Sequence, residues 1–186
     1  VRYMQLIRAD YGGDVFIGGL TGCRGDAYRP EEALAADEAA RFHRRQARAL
    51  AEAGPDFLLA STLPAASEAL GIARAMAPMG LPYLLSFVIT ADGTLLDGAP
   101  LGEAIAQIDR DVSPAPAGYL VNCVHTTVFA RAVPPQRVVG LQANTSAKSP
   151  RELEGLAYLE SEEPRQFAEG MAQLRRRFGL RILGGC

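Results

Sequence analysis

The chain has 186 residues, a formal net charge of −2 and 48% hydrophobic residues. That length suffices for one domain with a sizeable core, and the near-neutral charge gives no reason to expect nucleic acid or an anionic membrane as partner. No apolar run approaches the roughly 18 residues of a membrane span, and the N-terminus lacks the apolar stretch of a signal peptide. Because the first residue is Val1 rather than Met, we expect the chain to be a processed product or part of something longer.

Three cysteines occur, at Cys23, Cys123 and Cys186. This odd and sparse count does not suggest a disulfide framework. Taken singly, each is typical of a buried thiol in a reducing compartment, so we expect a cytoplasmic protein.

Six short apolar runs predict β-strands. They are continuous rather than alternating, as in parallel strands buried on both faces. The strands are predicted at 14–19, 56–62, 82–89, 118–122, 137–142 and 180–183. Prolines at the starts and glycines at the ends predict helices over about 30–53, 64–79, 100–112 and 164–178. The polar segment 143–163 is predicted to be a loop.

The predicted helices are amphipathic and should cover a sheet. Ala39, Phe42, Leu50 and Ala53 share one face of the first long helix, and His43 falls on its polar face. The last helix repeats the pattern with Phe167, Met171, Leu174 and Phe178. Strands that alternate with such helices predict an α/β fold with a parallel sheet in a single domain.

Two parallel architectures fit this pattern. A doubly wound sheet often carries a glycine-rich phosphate loop, but the glycines of "GGLTGCRG" (18–25) do not spell GxGxxG. A (β/α)8 barrel needs about 250 residues and eight strands, whereas six are predicted. Composition and periodicity leave both architectures open.

Four segments carry a family resemblance: "AGPDFLLASTLPAASEAL" (53–70), "SFVITADGTLLDGAPLGEAI" (86–105), "GYLVNCVH" (118–125) and "FAEGMAQLRRRFGLRILGGC" (167–186). Together they resemble the homocysteine S-methyltransferase family, most specifically in "NC" after the fourth strand and "GGC" after the last. The resemblance implies a (β/α)8 TIM-type barrel. Residues 1–186 would form one homocysteine-binding-type domain that lacks the first two strand–helix units and is incomplete at both ends.

Cys123 and Cys186 are the candidate metal ligands. Both directly follow apolar strands, and in a barrel of parallel strands such positions gather at one face. The resemblance implies that they hold a catalytic Zn²⁺ and that a second cysteine would follow Cys186. Zinc would keep a substrate thiol deprotonated for attack on a methyl group. His125 could join the ligands or cap a backbone group.

The resemblance also implies the substrates, a small-molecule thiol and a methyl donor. The product of methyl transfer to homocysteine or a related thiol would be methionine or an analogue. The expected substrate-binding residues are Gly19, Ser61, Thr62, Asn122 and Asn144.

The residue expected to bind the substrate's ammonium group is changed in this chain. Ser61 stands where the family has a glutamate that binds this group, so Glu68 or Asp26 could replace that acid. Cys23 is interpreted as structural.

Two other hypotheses remain at this point. The chain could be a divergent barrel that binds a small molecule or partner without metal and without catalysis. It could also be an unrelated α/β-barrel enzyme in which the two cysteines at strand ends are accidental.

Overall fold

The computed structural model of the protein describes residues 1–153 and 155–186. The strands are β1 (Gly18–Thr21), β2 (Phe57–Leu63), β3 (Tyr83–Phe87), β4 (Gly118–His125), β5 (Val138–Asn144) and β6 (Ile182–Gly185). The helices are α1 (Arg2–Tyr11), α2 (Ala36–Glu52), α3 (Ala66–Met76), α4 (Leu101–Asp111), α5 (Thr126–Ala132), α6 (Pro150–Leu153) and α7 (Pro164–Phe178). Short 3₁₀ turns lie at Pro30–Glu32 and Ala77–Met79.

The six strands form one curled, fully parallel sheet in the order β1-β2-β3-β4-β5-β6. Each strand pairs with its sequence neighbour, so the chain winds in one direction without the switch point that a doubly wound sheet requires. This topology excludes the doubly wound alternative. It also brings the carboxyl ends of all six strands to the same edge, where the candidate residues lie.

One hydrophobic core joins the sheet to the covering helices. Leu58, Leu85 and Leu141 on the strands are fully buried, as are Ile72 on α3 and Ile108 on α4. Within the described residues, no helix is both long and apolar enough to cross a membrane.

The predicted strands all form, with boundaries shifted by up to four residues. Gly54, Gly80 and Gly179 adopt positive φ after α2, the Ala77–Met79 turn and α7, as expected of helix ends. Pro30 begins a 3₁₀ turn and α2 starts only at Ala36, so the predicted start of that helix was wrong. The helices α1, α5 and α6 were not predicted.

The buried face of α2 differs from the predicted one. Phe42 is 52% exposed, whereas Ala39, Ala40, His43 and Ala47 are buried. The prediction that His43 is a surface residue was therefore wrong. A helical wheel finds apolar residues but cannot detect a histidine whose buried partner lies on another helix. Here the partner is Glu68 on α3.

The polar side of α1 faces the protein. The Gln5 side chain donates to the Gly54 carbonyl at 2.7 Å, and Arg8 pairs with Asp56 at 2.6 Å. The apolar side chains of Tyr3 and Leu6 are exposed. A helix bound by its polar residues gives no amphipathic signal pointing to the core, which explains why it was missed.

A polar cluster near the start of β4 and β5 stabilises the edge of the sheet opposite the carboxyl ends of the strands. Asp109 accepts two hydrogen bonds from the Arg137 guanidinium and one from the Tyr119 hydroxyl, all between 2.8 and 2.9 Å. Burial by itself would raise the pKa of Asp109, but these hydrogen bonds outweigh it and lower the pKa. The carboxylate therefore stabilises the folded state as long as it is ionised.

Asp109→Asn is expected to lower the free energy of unfolding by about 1–2 kcal/mol near pH 7, allowing for the partly exposed Arg137. Because the folded pKa lies below the ordinary value of 3.8, the difference from wild type should persist above about pH 5. It should shrink as the pH falls below about 4. Urea unfolding at several pH values measures this, with Asp111→Asn as the control because its partner Arg110 is exposed. Equal losses in both variants would contradict the assignment.

Candidate functional site

The sulfur atoms of Cys123 and Cys186 lie 2.8 Å apart although the residues are 63 positions apart in sequence. Cys123 lies within β4, and Cys186 directly follows β6. The backbone N–H of Cys186 donates to the Ala143 carbonyl at 2.9 Å, which ties the end of β6 to the adjacent β5. A covalent S–S bond is about 2.05 Å long, so these are two free thiols in contact.

Local backbone distortions aim the side chains at this site. Cys123 has φ of 56° and Thr62 has φ of 61°, the left-handed region that is uncommon for residues other than glycine. The pairing register shifts at both positions, between Ala60 and Leu63 on β2 and between Asn122 and Val124 on β4. Such irregularities near the ends of strands redirect side chains and are typical of functional sites.

Asn122 links the two distorted positions. Its Oδ1 accepts from the Thr62 N–H at 3.1 Å and from the Ser86 hydroxyl at 2.6 Å. Its Nδ2 donates to the Thr62 hydroxyl at 2.8 Å and to the Cys123 sulfur at 3.0 Å. The side chain is 1% exposed and all four of its hydrogen bonds are made within the protein. The Asn122 side chain therefore holds the Cys123 sulfur in a fixed position.

Cys123 and Cys186 line separate cavities, and a further cavity is lined by other candidate residues. The Cys123 cavity, about 360 Å³, has mostly apolar walls; its lining includes Tyr28, Val88, Ile89, Leu96, Cys123, His125, Val128, Lys148 and Glu152. A second cavity of about 280 Å³ is lined by Cys186 and Asn144 among others. A third of about 510 Å³ is lined by Ser61, Thr62, Gln46 and residues of the glycine-rich loop.

The pair lies in partly desolvated surroundings. Burial raises the pKa of Cys186 to about 11, and its hydrogen bond with Cys123 contributes to the rise. Burial also raises the pKa of Tyr28, and the neighbouring Cys123 contributes to the rise. Without a cation, the Cys186 thiol therefore keeps its proton at neutral pH.

The structure brings two predicted ligands together and distributes the predicted substrate residues around them. Thr62 is joined to Cys123 through Asn122, and Ser61 is its neighbour in the third cavity. Asn144 ends β5, opposite His125, and lines the cavity of Cys186. That these residues contact a substrate stays a prediction.

Gly19 lies in the middle of β1 and packs towards helix α2. A Cβ there would lie 3.0 Å from Leu58 Cδ2 and 3.3 Å from Leu50 Cβ, so the position requires a small residue for packing. Its predicted role in substrate binding is not tested by this placement.

His125 caps a helix. Its Nδ1 accepts from the Thr127 N–H at 3.3 Å at the start of α5, and its Nε2 lies 3.2 Å from Glu162. Of the two interpretations of His125, the cap is the one that the structure confirms. Both ring nitrogens are engaged, so the imidazole wall of the Cys123 cavity is held in place.

Two residues of the site were missed by sequence reasoning. Ser86 is a hydroxyl inside the apolar run "PYLLSFVI", and a polar residue in a buried strand is a detectable signal of an internal hydrogen bond. Tyr28 follows the glycine-rich loop, and nothing in the local pattern indicates that it reaches Cys123. Only the fold brings it there.

The donor atoms present suit a soft metal ion. Two thiols at contact distance, one of them oriented by an amide N–H, are the ligand type that Zn²⁺ prefers. Within residues 1–153 and 155–186, no three His, Cys, Asp or Glu side chains gather closely enough to hold a metal. This part of the chain therefore contributes the two sulfur atoms, which fit a zinc site as two of its ligands.

Comparison with known proteins identifies the family. The family model described as homocysteine S-methyltransferase matches residues 1–186, the whole chain. The chain belongs to the homocysteine S-methyltransferase family. A relative in this family, homocysteine S-methyltransferase YbgG of Bacillus subtilis, is 33% identical over 100 residues, which cover 53% of this chain and 31% of that protein.

Solved structures show the same fold as this member of the homocysteine S-methyltransferase family. The metallated form of the homocysteine methyltransferase MmuM from Escherichia coli superposes with a TM-score of 0.72 at 23% identity. The oxidized form of MmuM superposes with a TM-score of 0.71 at 25% identity. Both matches cover 100% of this chain and 61% of MmuM. The chain thus spans about three fifths of the length of MmuM.

Proposed function

We propose that this chain is part of a zinc-dependent S-methyltransferase that transfers a methyl group to the thiol of homocysteine or a related thiol. The contact between the Cys123 and Cys186 sulfurs, 2.8 Å apart across 63 residues, carries the proposal. Membership of the homocysteine S-methyltransferase family supports the reaction type. The reducing cytoplasm, which keeps such thiols free, is the proposed compartment.

We propose further that the six strands correspond to strands three to eight of a (β/α)8 barrel. Their sequential parallel order supports this assignment, as does the superposition on MmuM. Both edge strands expose apolar side chains: Leu20 on β1 is 60% exposed, and Ile182 and Leu183 on β6 are each 39% exposed. Unpaired edges with apolar side chains are what further strands of a barrel would cover.

In the proposed mechanism, Cys123 and Cys186 would hold the zinc ion. When bound, zinc supplies a soft Lewis-acid centre at which an incoming thiol loses its proton. Asn122 orients the Cys123 sulfur through its amide N–H, and Thr62 and Ser86 keep that amide from rotating. Four fixed hydrogen bonds thus hold one donor atom in place before any substrate arrives.

The Cys123 cavity would receive the reacting groups. Val88, Ile89 and Leu96 form apolar walls beside the sulfur, and such walls exclude water from a thiolate and a methyl group. The substrate sulfur forms a bond to the methyl carbon while the bond from that carbon to the donor's sulfur or nitrogen breaks with its electron pair. The thiol proton leaves to solvent. Correct alignment of the two reactants can supply roughly 7–11 kcal/mol of the barrier reduction.

The recognition of the amino-acid end of the substrate differs from the family pattern. Ser61 offers a hydroxyl where the resemblance implies a carboxylate, and Glu68 is fully buried with its carboxylate engaged by the protein. A hydroxyl can accept a hydrogen bond from an ammonium group but cannot neutralise its charge. A thiol other than homocysteine is therefore the alternative substrate within this proposal.

The test uses the full-length protein purified under reducing conditions. Zinc content is measured by mass spectrometry, and homocysteine is supplied with a sulfonium donor, betaine or a methylated folate in separate reactions. The expected result is about one zinc per chain. With at least one donor, methionine should form.

Each failure removes a different part of the proposal. If the protein contains zinc but does not methylate homocysteine with any donor, the assignment of homocysteine as substrate is wrong. Other thiols would then be screened. A protein that binds no zinc and methylates nothing would favour the divergent, non-catalytic barrel, to which the hydroxyl of Ser61 also points.

A further inference from the structure

Glu68 on α3 is a fully buried carboxylate that the proposed mechanism does not use. Its Oε1 accepts from the Arg24 N–H at 2.7 Å and lies 2.9 Å from His43 Nε2, and its Oε2 accepts from the Leu34 N–H at 3.3 Å. Burial by itself would raise the pKa of Glu68, but these hydrogen bonds outweigh it and lower the pKa. A carboxylate that is removed from water but hydrogen-bonded by the protein holds specific groups in place, which a charge on the surface does not do.

The partners of Glu68 are the two ends of one loop. Arg24 begins and Leu34 ends the segment that runs from the glycine-rich turn after β1 to the start of α2. The adjacent Ser67 hydroxyl donates to the Leu34 carbonyl at 3.0 Å, so α3 holds both backbone groups of that residue. His43 on α2 donates to the carboxylate and keeps it in place. One side chain therefore closes the loop 24–34 at both ends.

The same loop carries Tyr28, which lines the Cys123 cavity. Inside the loop, the Asp26 carboxylate accepts from the Tyr28 N–H at 2.9 Å, and Glu32 accepts from the Asp26 N–H at 3.1 Å. These hydrogen bonds within the loop limit its internal motion. Its position therefore depends on how its two ends are held. Tyr28 and Cys123 line the same cavity, and both are partly buried against the hydrophobic core.

We propose that Glu68 is a positioning residue that, by clamping both ends of the loop 24–34, holds Tyr28 over the Cys123 sulfur. Tyr28 then covers the sulfur and limits which molecules approach it from the Cys123 cavity. Glu68 itself never contacts the substrate. This inference rests on the proposed function for its catalytic meaning, whereas the clamp and the cover can be measured without methyl transfer.

The experiment compares wild type, Glu68→Gln, Tyr28→Ala and the double variant in the full-length protein after removal of metal by a chelator. The rate at which N-ethylmaleimide modifies Cys123 is followed by mass spectrometry of peptides, and exchange of the Arg24 and Leu34 amide hydrogens is measured in parallel. A glutamine cannot accept from both N–H groups because one of its oxygens becomes a donor nitrogen.

We expect the rate of Cys123 modification to rise about tenfold in each single variant. A change of this size corresponds to the free energy of about one lost hydrogen bond. The double variant should be no faster than Tyr28→Ala, since Glu68 acts through Tyr28. The two amides should exchange faster in Glu68→Gln and at the wild-type rate in Tyr28→Ala. Glu38→Gln, the same change at an exposed site on α2, should match wild type in every measurement.

The failures can be separated. Faster amide exchange in Glu68→Gln with an unchanged Cys123 rate would overturn the inference, because the carboxylate would then be structural only. If Glu68→Gln does not fold, a wild-type rate in Tyr28→Ala alone overturns it. If homocysteine is not methylated by wild type while the Cys123 rates follow the expected pattern, the proposed function fails and the positioning role stands.

Discussion

A Cys123→Ser protein is expected to lose its zinc and at least about 100-fold of its methyl-transfer rate, because even residues that only orient zinc ligands are worth 10–100-fold. Serine offers a hydroxyl that stays protonated and is a harder ligand than a thiolate, so the affinity for Zn²⁺ falls. The fold should survive, since the Asn122 amide can donate to a serine oxygen as it does to the sulfur. The loss would thus be chemical rather than structural.

The matched control is Cys23→Ser. Cys23 is also half-buried, but its sulfur donates to the Gly25 carbonyl at 3.4 Å, a contact that a serine hydroxyl can keep. Metal content and homocysteine methylation should stay at the wild-type level in this variant. Cys186→Ser should behave like Cys123→Ser. Full zinc occupancy and wild-type activity in Cys123→Ser would remove the basis of the proposed function.

The strand ends explain why the sulfur pair could be predicted from sequence. Apolar runs identify parallel strands, and the carboxyl ends of such strands share one edge, so residues at the ends of the predicted fourth and sixth strands can lie near each other. Together with the family resemblance, which favoured a barrel, that argument predicted that Cys123 and Cys186 could meet at one edge, and their sulfurs are in contact there. It cannot say that their sulfurs touch, because that depends on the positive φ of Cys123 and the shifted register around it.

The contacts that support the site could not be predicted from sequence patterns. His43 and Glu68 each look like surface charges on amphipathic helices, and only the packing of α2 on α3 buries them against each other. Tyr28 lines the Cys123 cavity from a loop whose two ends are hydrogen-bonded to Glu68 of that pair. Such contacts join residues that are distant in sequence through side chains, and periodicity records only which face of a helix is apolar.

Gly71→Ala is the second change for which a large effect is expected, a loss of about 3 kcal/mol in the free energy of unfolding. Gly71 lies where α3 crosses α2. A Cβ there would lie 2.3 Å from the Ala36 carbonyl oxygen and 2.4 Å from the Ala39 Cβ. These are backbone and near-backbone atoms that cannot rotate away, so the two helices must move apart. Because the same helix pair carries His43 and Glu68, the displacement should also loosen the loop that bears Tyr28.

Gly170→Ala on α7 is the matched control. The new Cβ would lie 3.4 Å from the Thr126 hydroxyl oxygen, an ordinary contact, so the alanine should gain up to about 1 kcal/mol of helix propensity. Thermal unfolding should then show Gly71→Ala lowered by roughly 6–12 °C and Gly170→Ala unchanged or slightly raised. Equal midpoints in the two variants would mean that α2 and α3 can separate at no cost. The clamp on the loop 24–34 would then lack the rigid support that it requires.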